Sequence, residues 1–520
     1  MTRVPQLTRR AFLSTGATGL AALSLPHWLT ACASSAPIAI EDPMPAQNLL
    51  PDYFDRHFGI SPELIQKVLA EAMSRGGDFA DIFFQHAQDV YVGLEDNIVD
   101  RAYGNVDLGV GIRVVNGDQT GYAFTEILEA ESMLAAARTA AAIANSGAKA
   151  GPVSLSPTKT AAFYDTQYDY SALGVEQLVS LLDGLNQRSQ AADPLVQKVS
   201  LGFACGQNRI LVADSDGRVA FDSQPMSRLF LNLVMEKNGV RQSNGHNLSS
   251  RLDFSWYDEK RLQNLVDTAL ERTRVLFDAQ KPPAGEMPVV LAAGSSGILL
   301  HEAIGHGMEA DFNRKGVSIF SDRIGKKVAE PMVTIVDSGV DHGLRGAINI
   351  DDEGNAPQAT HLVENGILKS YLHDRISAKH YGVEPTGSGR RQSFRHPPLP
   401  RMRATYMMPG PHTRDEIIAS VKQGIYCTSF TNGQVQIGAG DYTFYVKNGY
   451  LIENGKLTAP IKDVNIIGNG PESLARINMV ADDFAIDEGG WTCGKDGQSV
   501  PVSLGLPTVL VSAITVGGSA

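Results

Sequence analysis

Residues 288–309 read PVVLAAGSSGILLHEAIGHGME, and this stretch decides how the chain folds around its centre. A short apolar run predicts a strand, which feeds a helix carrying His301 and His306, two imidazoles five residues apart. In a regular α-helix that spacing puts the second side chain about 140° round from the first. A π-type bulge adds one residue to a turn and restores the alignment. Gly305 and Gly307 allow the backbone to bend, so we predict a bulged helix from about Ser296 to Glu309.

Two imidazoles on one helix indicate a metal site, and catalytic zinc usually has three protein ligands and one water. The residues alone leave the third ligand open among Glu309, Asp311 and Cys493. Cys493 is modestly favoured because a thiolate binds zinc strongly and lies in a glycine-containing loop. Glu302 follows the first histidine and is the natural general base, since a carboxylate there can take a proton from zinc-activated water.

Around this motif the chain is predicted to be an α+β protein with three domains after residue 51. Two prolines and a glycine in 281–285 end both helix and strand, so a boundary is placed there. Residues 52–155 and 156–280 are expected to form N-terminal α/β domains with hairpins that turn at 116–117, 216–217 and 238–239. Residues 286–520 are expected to form a mainly antiparallel, barrel-like domain with Asn-Gly turns at 365–366, 432–433, 448–449 and 454–455.

The N-terminus has the pattern of an export signal. Residues 8–13, TRRAFL, precede a weakly apolar stretch that is typical of a twin-arginine signal. Residues 29–32, LTAC, resemble a lipoprotein processing box, which predicts lipidation of Cys32. Residues 1–32 are therefore interpreted as a signal and 33–51 as a flexible tether. The protein is expected in the periplasm or cell envelope, with membrane contact only through that lipid.

The composition excludes some classes of protein. A formal net charge of -12 over 520 residues argues against a nucleic-acid partner, because phosphate binding depends on clustered Lys and Arg. Four cysteines cannot make a disulfide scaffold. Cys205 and Cys427 lie in apolar runs and are interpreted as core residues rather than a disulfide.

Several longer motifs resemble the TldD/PmbA family of metallopeptidases. They are HEAIGHGMEADF (301–312), SIFSDRIGKKVA (318–329), NIDDEGNAPQATHLVENGILKSYLHDR (349–375) and TCGKDGQSVPVSLGLPT (492–508). The likeness runs from about residue 60 to 518. It implies zinc held by His301, His306 and Cys493, with Glu302 as the catalytic carboxylate. It also implies pairing, as a homodimer or with a related chain that lacks the motif, around a chamber that admits unfolded peptides.

The sequence therefore favours an exported zinc metallopeptidase that hydrolyses peptide bonds in flexible peptides. Two alternatives stay open: a zinc amidase acting on another envelope amide, and a non-catalytic envelope protein that assembles with a partner. The acidic run 351–353 could bind a second metal, although a solvated loop is favoured. Several other residues could bind substrate or stabilise an oxyanion, and nothing local ranks them: His373, Arg375, Arg390, Arg391 and His396.

Overall fold

A computed structural model describes residues 52–144, 153–436 and 438–518. The predicted signal, the tether and Cys32 lie outside these residues. In the part of the chain that is described, no helix is long and apolar enough to cross a membrane. The chain is a mixed α+β protein with a helix-covered sheet in its N-terminal half and a strand-rich C-terminal half, as the sequence predicts.

The N-terminal half is built on one seven-stranded sheet. Its helices are α1 (Tyr53–Phe58), α2 (Pro62–Ala72), α3 (Ala130–Ala141), α4 (Val175–Ala192) and α5 (Glu259–Arg274). Its strands are β1 (Phe79–Glu95), β2 (Ile98–Asn116), β3 (Gln119–Thr125), β4 (Ser156–Pro157), β5 (Val196–Asp214), β6 (Arg218–Lys237) and β7 (Val240–Ser250). The strand order is β3-β2-β1-β5-β6-β4, and β7 also pairs with β6.

Two separate apolar cores lie on this sheet, one under the helices of each predicted N-terminal domain. Helices α2 and α3 pack on one part of it through residues such as Val68 and Met133. Helices α4 and α5 pack on another part through residues such as Leu182 and Leu265. The two groups of helices thus have their own cores, while β1 of the first group pairs with β5 of the second. The division between residues 155 and 156 stays a prediction.

Local sequence signals explain where these elements begin and turn. The Ser61 hydroxyl accepts the Leu64 N–H, and Pro62 occupies the first turn of α2. Asn238 and Gly239 both have positive φ, at 53° and 77°, and join β6 to β7 in a two-residue turn. Such turns match the twist of the two strands. Hairpins are present at all three predicted places, although the first turn is formed by Gly117 and Asp118 rather than by Asn116 and Gly117.

The C-terminal half contains a closed five-stranded barrel. The strands of this half are β8 (Gly285–Leu291), β9 (Ile335–Ser338), β10 (Ala359–Glu364), β11 (Ile367–Leu368), β12 (Gly389–Arg390), β13 (Leu399–Pro400), β14 (Ala404–Met407), β15 (Gln423–Gln436), β16 (Asp441–Glu453), β17 (Lys456–Ile461), β18 (Val464–Asn469), β19 (Ile477–Val480), β20 (Ala485–Ile486), β21 (Trp491–Lys495), β22 (Gln498–Leu506) and β23 (Val509–Gly518). The order β15-β8-β23-β18-β16 closes because β15 also pairs with β16. The predicted barrel-like character is confirmed.

A second sheet in this half has the order β11-β10-β9-β14-β22-β20, and β21 pairs with β22. The helices here are short: α6 (Ala310–Arg314), α7 (Arg375–Tyr381), α8 (Arg414–Ser420) and α9 (Gly470–Ala475). The helical segment that follows β8 packs into one core with barrel residues such as Ile425 and Phe444. The barrel therefore serves as the rigid support of the histidine motif.

Two of the predicted Asn-Gly turns in this half are wrong. Residues 432–433 lie inside β15, and 448–449 lie inside β16. A Cβ at Gly433 would lie 2.2 Å from the Phe444 ring, and one at Gly449 would lie 2.5 Å from the Tyr426 carbonyl oxygen. These glycines therefore permit close packing between strands, and their tertiary environment overrides the local turn signal.

Candidate metal centre

The histidine motif lies on a segment with a π-helical centre. A 3₁₀ turn over Ser295–Gly297 leads into a π-helix over Leu300–Gly305, and a second 3₁₀ turn covers His306–Met308. The bulge predicted from the histidine spacing is confirmed. Gly305 has an ordinary helical φ of -61°, so its role is not backbone freedom. A Cβ there would lie 2.1 Å from Met402 Sδ, so glycine is needed because Met402 packs against the bulge.

Three predicted ligands come together at this bulge. One donor atom each from His301, His306 and Cys493 lies within 4.8 Å of the other two. Cys493 Sγ is 3.4 Å from His306 Nε2, and the two imidazole rings are 5.2 Å apart at 82°. All three side chains are buried. Cys493 reaches the helix because β21 and β22 form a hairpin that crosses beside it.

The other two candidate ligands, Glu309 and Asp311, lie outside the group of three donor atoms. Glu309 Oε2 lies 3.0 Å from His306 Nδ1, the nitrogen that faces away from Cys493. The Lys495 ammonium lies 3.1 Å from the Glu309 carboxylate and 2.7 Å from that of Asp311. Glu309 thus holds the ring of His306 so that Nε2 points to the cysteine, as carboxylates commonly do for metal-binding histidines. Asp311 holds Lys495, and neither carboxylate is placed as a ligand.

These contacts set the charge state of the site. Burial opposes ionisation of Cys493, but the imidazoles of His301 and His306 outweigh it and hold the thiol pKa well below its usual value. Burial likewise opposes the charged form of His306, yet Glu309 and Cys493 raise the imidazole pKa well above its usual value. Lys495 and His306 overcome burial and lower the Glu309 pKa to about 2. Both shifts favour a thiolate beside a protonated imidazole while no metal is bound.

Glu302 lies on the open side of the centre. Its side chain is 20% exposed, and its Oε2 is 3.8 Å from His306 Nε2. The carboxylate therefore faces the donor atoms and can also reach solvent, which a proton-transferring group requires.

The donor set fits a zinc ion. Two ligand atoms bound tetrahedrally at about 2.0–2.3 Å lie about 3.3–3.8 Å apart, and the observed 3.4 Å between sulfur and nitrogen is in that range. His301 Nδ1 is buried and has no hydrogen-bond partner, which is costly for a polar atom. Among the residues that the structure describes, His301, His306 and Cys493 are the only group able to hold a metal. A second metal site at 351–353 is not formed.

The acidic run 351–353 is not the solvated loop that its sequence favoured. Asp351 and Glu353 are buried, and Glu353 lies 2.7 Å from the buried guanidinium of Arg113. Burial and the nearby charge of Glu353 raise the pKa of Asp351 to about 7, because they outweigh the backbone hydrogen bonds that lower it. The run is part of a buried ionic core between the two halves of the chain.

The remaining sequence candidates lie outside the donor set. His373 is buried, and Arg375 pairs with Asp214 and Asp216. His396 Nδ1 bonds to the Ser393 hydroxyl. Arg390 and Arg391 line a separate cavity described below. Cys205 and Cys427 are buried free thiols, as predicted.

The sequence did not lead us to predict two residues that lie near the centre, Lys495 and Arg401. Lys495 is two residues beyond Cys493 in β21, and that spacing places both on one face of a strand, so the signal was available. Arg401 donates to the Cys493 carbonyl at 2.6 Å and to the Gln498 carbonyl at 3.3 Å, which ties the hairpin down. Nothing local in the sequence marks this arginine.

Comparison with known proteins places the chain in a family. Three family profiles match: PmbA/TldA metallopeptidase domain 1 over residues 80–144, the central domain over 168–277 and the C-terminal domain over 284–518. The metalloprotease TldD homolog of Haemophilus influenzae is 39% identical over 467 residues, covering 88% of this chain and 97% of the relative. This chain belongs to the TldD/PmbA family.

Two further proteins are similar to this chain. The zinc metalloprotease TldD homolog of Saccharolobus solfataricus is 32% identical over 317 residues, covering 61% of this chain and 68% of the relative. TldE of Thermococcus kodakarensis has a solved structure with a TM-score of 0.67 at 17% identity, covering 88% of this chain and all of that one. The latter likeness establishes a shared fold.

Proposed function

We propose that this TldD/PmbA member is an exported zinc metallopeptidase that hydrolyses peptide bonds in unfolded or flexible peptides. The observation that carries the proposal is the convergence of His301, His306 and Cys493 within 4.8 Å beside the partly exposed carboxylate of Glu302. The names of the relatives, metalloprotease and zinc metalloprotease, support both the reaction and the metal.

The residues of the centre divide the work of hydrolysis. Zinc in such a site supplies the acidity that ionises a water near neutral pH and polarises a carbonyl. Glu302 takes a proton from the attacking water and delivers it to the nitrogen of the leaving amine. Glu309 keeps His306 Nε2 aimed at the centre, Lys495 neutralises Glu309, and Arg401 fixes the hairpin that carries Cys493.

The test compares Glu302→Gln with Glu330→Gln, a control on an exposed carboxylate that pairs with Lys327. Loss of a general base lowers the rate by about 10²–10⁴-fold, so cleavage of an unstructured, internally quenched peptide should nearly vanish in Glu302→Gln while zinc content stays at wild-type level. Glu330→Gln should cleave normally. Wild-type protein that holds zinc but cleaves only another envelope amide, and not the unstructured peptide, would support the amidase alternative instead. Zinc-free, inactive wild-type protein would support a non-catalytic assembly role.

Pairing is the second element of the proposal. We propose that the chain forms a homodimer or a heterodimer with a related chain, and its structural likeness to TldE supports a related partner. Sedimentation of the purified chain, alone and mixed with any motif-less relative encoded with it, distinguishes the two. A chain that stays monomeric in both samples would contradict the pairing.

Export is proposed from the sequence of residues 8–13 and 29–32. Replacement of Arg9 and Arg10 by lysine should leave the protein in the cytoplasm, which cell fractionation measures. Mass spectrometry of the mature N-terminus should find a lipid on Cys32, and an unmodified Cys32 would contradict the anchor.

A further inference from the structure

A cavity of about 280 Å³ lies between the N-terminal sheet and the hairpin of β21 and β22. Four arginines line it, Arg251, Arg345, Arg390 and Arg391, and we call it the arginine cavity. It is distinct from the metal centre. Thr492 lines the cavity and directly precedes Cys493 in β21, and neighbouring residues of a strand point to opposite faces.

The charges that line the arginine cavity do not balance. Only two acidic residues, Asp351 and Asp352, line the cavity, and Arg391 is also paired at 3.2 Å with Asp81, which does not line it. The Asp351 carboxylate already accepts backbone N–H groups of Glu353, Asn355 and Gly389. Asp352 Oδ2 accepts the backbone N–H of Arg391 at 2.8 Å. The lining therefore carries an excess of positive charge, and its carboxylates are occupied elsewhere.

Three of the arginines form no ion pair with a carboxylate within residues 52–144, 153–436 and 438–518. Arg251 donates to the carbonyls of Arg345 and Pro225. Arg345 donates to the Trp491 carbonyl and the Ser249 hydroxyl. Arg390 donates to the Met402 carbonyl at 2.7 Å. A guanidinium has five N–H donors, so each of the three keeps donors that these bonds do not use.

An unpaired buried cation is costly, and Arg251 and Arg390 are only 3% and 4% exposed. The cost is reflected in lowered pKa values for two of the arginines. Burial and the nearby charges of Arg228 and Arg251 lower the Arg345 pKa to about 9. Burial also lowers the Arg390 pKa to about 10, although Asp352 partly offsets it. A bound anion would remove this penalty by supplying the missing negative charge.

We propose that the arginine cavity is a binding site for a small oxyanion, a phosphate or a carboxylate group held by the guanidiniums of Arg251, Arg345 and Arg390. The planar fork of a guanidinium matches the two oxygens of either group, and such paired bonds are the strong ones. Binding at the arginine cavity can be tested without zinc, since none of its arginines is one of the three proposed metal ligands.

Calorimetric titration of the purified full chain tests the proposal at fixed ionic strength. The probes are orthophosphate, succinate, and tetra-alanine with a free or an amidated C-terminus, with sodium chloride as the balancing salt. We expect saturable binding to one site per chain. Preference for orthophosphate would indicate a phosphate ligand. Preference for succinate would indicate a small carboxylate, and binding of only the free peptide would indicate a peptide C-terminus.

Arg345→Gln is the decisive variant because Arg345 is partly exposed and its loss should be tolerated by the fold. Removal of hydrogen bonds to a charged ligand should weaken binding at least about tenfold. Arg345→Lys keeps the charge without the fork and should weaken binding less. The matched control is Arg101→Gln, an exposed arginine on β2 that should bind the anion normally.

Phenylglyoxal modification of wild-type protein provides a readout that needs no variant. The bound anion should slow modification of Arg345 while leaving Arg101 unaffected. The proposal is overturned if wild-type protein binds none of the probes saturably, or if a folded Arg345→Gln binds as tightly as wild type. Should that variant fail to fold, equal modification of Arg345 with and without anion would overturn it.

Discussion

Glu309 offers the sharpest test of how the metal centre is organised. Its Oε2 is 3.0 Å from His306 Nδ1, and the carboxylate is fully buried. Loss of such a carboxylate typically lowers metal affinity about 10–100-fold, which is about 1.4–2.7 kcal/mol. A charge-assisted hydrogen bond is about twice as strong as a neutral one. Glu309→Gln, which can keep a neutral bond, should therefore lie near the tenfold end, and Glu309→Ala near the hundredfold end.

Competition with a colorimetric zinc chelator at neutral pH measures both affinities. Lys495 keeps Asp311 at 2.7 Å in either variant, so the lysine is not left without a carboxylate. Circular dichroism verifies that each variant is folded, and Glu330→Gln controls for the loss of a surface carboxylate. If Glu309→Ala binds zinc within about threefold of wild type, less than about 0.7 kcal/mol, the carboxylate does not organise His306 and the reasoning is refuted.

Three further predictions test proton release, packing and stability. In the metal-free centre the raised pKa of His306 favours a proton on the imidazole, and the lowered pKa of Cys493 favours a thiolate. Zinc binding should therefore release about one proton and become tighter as pH rises. Calorimetry in buffers of different ionisation enthalpy measures this release, and a binding enthalpy that does not depend on the buffer would contradict it. Gly470→Ala should reduce zinc affinity because its Cβ would lie 1.9 Å from the carbonyl oxygen of Ala303, which is part of the π-helix. Gly494→Ala has open space around its Cβ and should bind zinc like wild type. Equal zinc affinities of the two variants would contradict this. Asp337→Ala removes the carboxylate that lies 2.9 Å from the buried guanidinium of Arg403. The free energy of unfolding, measured by urea denaturation, should fall by about 3–5 kcal/mol, and a fall of less than about 1 kcal/mol would contradict this.

The fold was predictable where a local signal has one structural meaning. The spacing of His301 and His306 required an added residue in a helical turn, and the π-helix is present. Asn238-Gly239 and Asn454-Gly455 turn as their residue types predict. Asn448-Gly449 does not, because the Asn448 amide donates to the Arg272 carbonyl and bonds to Ser429 across the strands. Such contacts between distant segments leave no mark in a local pattern.

The metal centre shows the same limit. His301, Glu302 and His306 follow from one hexapeptide, but Cys493 is 187 residues beyond His306, and the residues alone left it in competition with Glu309 and Asp311. Its place came from resemblance to a family. The barrel that supports the helix and the hairpin that carries the thiol are products of long-range pairing, as is the buried state of residues 351–353. The turn signals predicted a barrel-like sheet, but which strands close it, where the thiol hairpin lies and that 351–353 is buried could not be obtained from spacing or composition.

The central claim is that two imidazoles and one thiolate hold a single metal ion. A crystal of the zinc-loaded protein, measured on both sides of the zinc absorption edge, tests it directly. We predict one anomalous peak per chain at about 2.0–2.1 Å from a nitrogen of His301 and of His306 and about 2.3 Å from Cys493 Sγ. A zinc peak at any other site, or a peak at the helix with the Cys493 sulfur beyond coordinating distance, would contradict it.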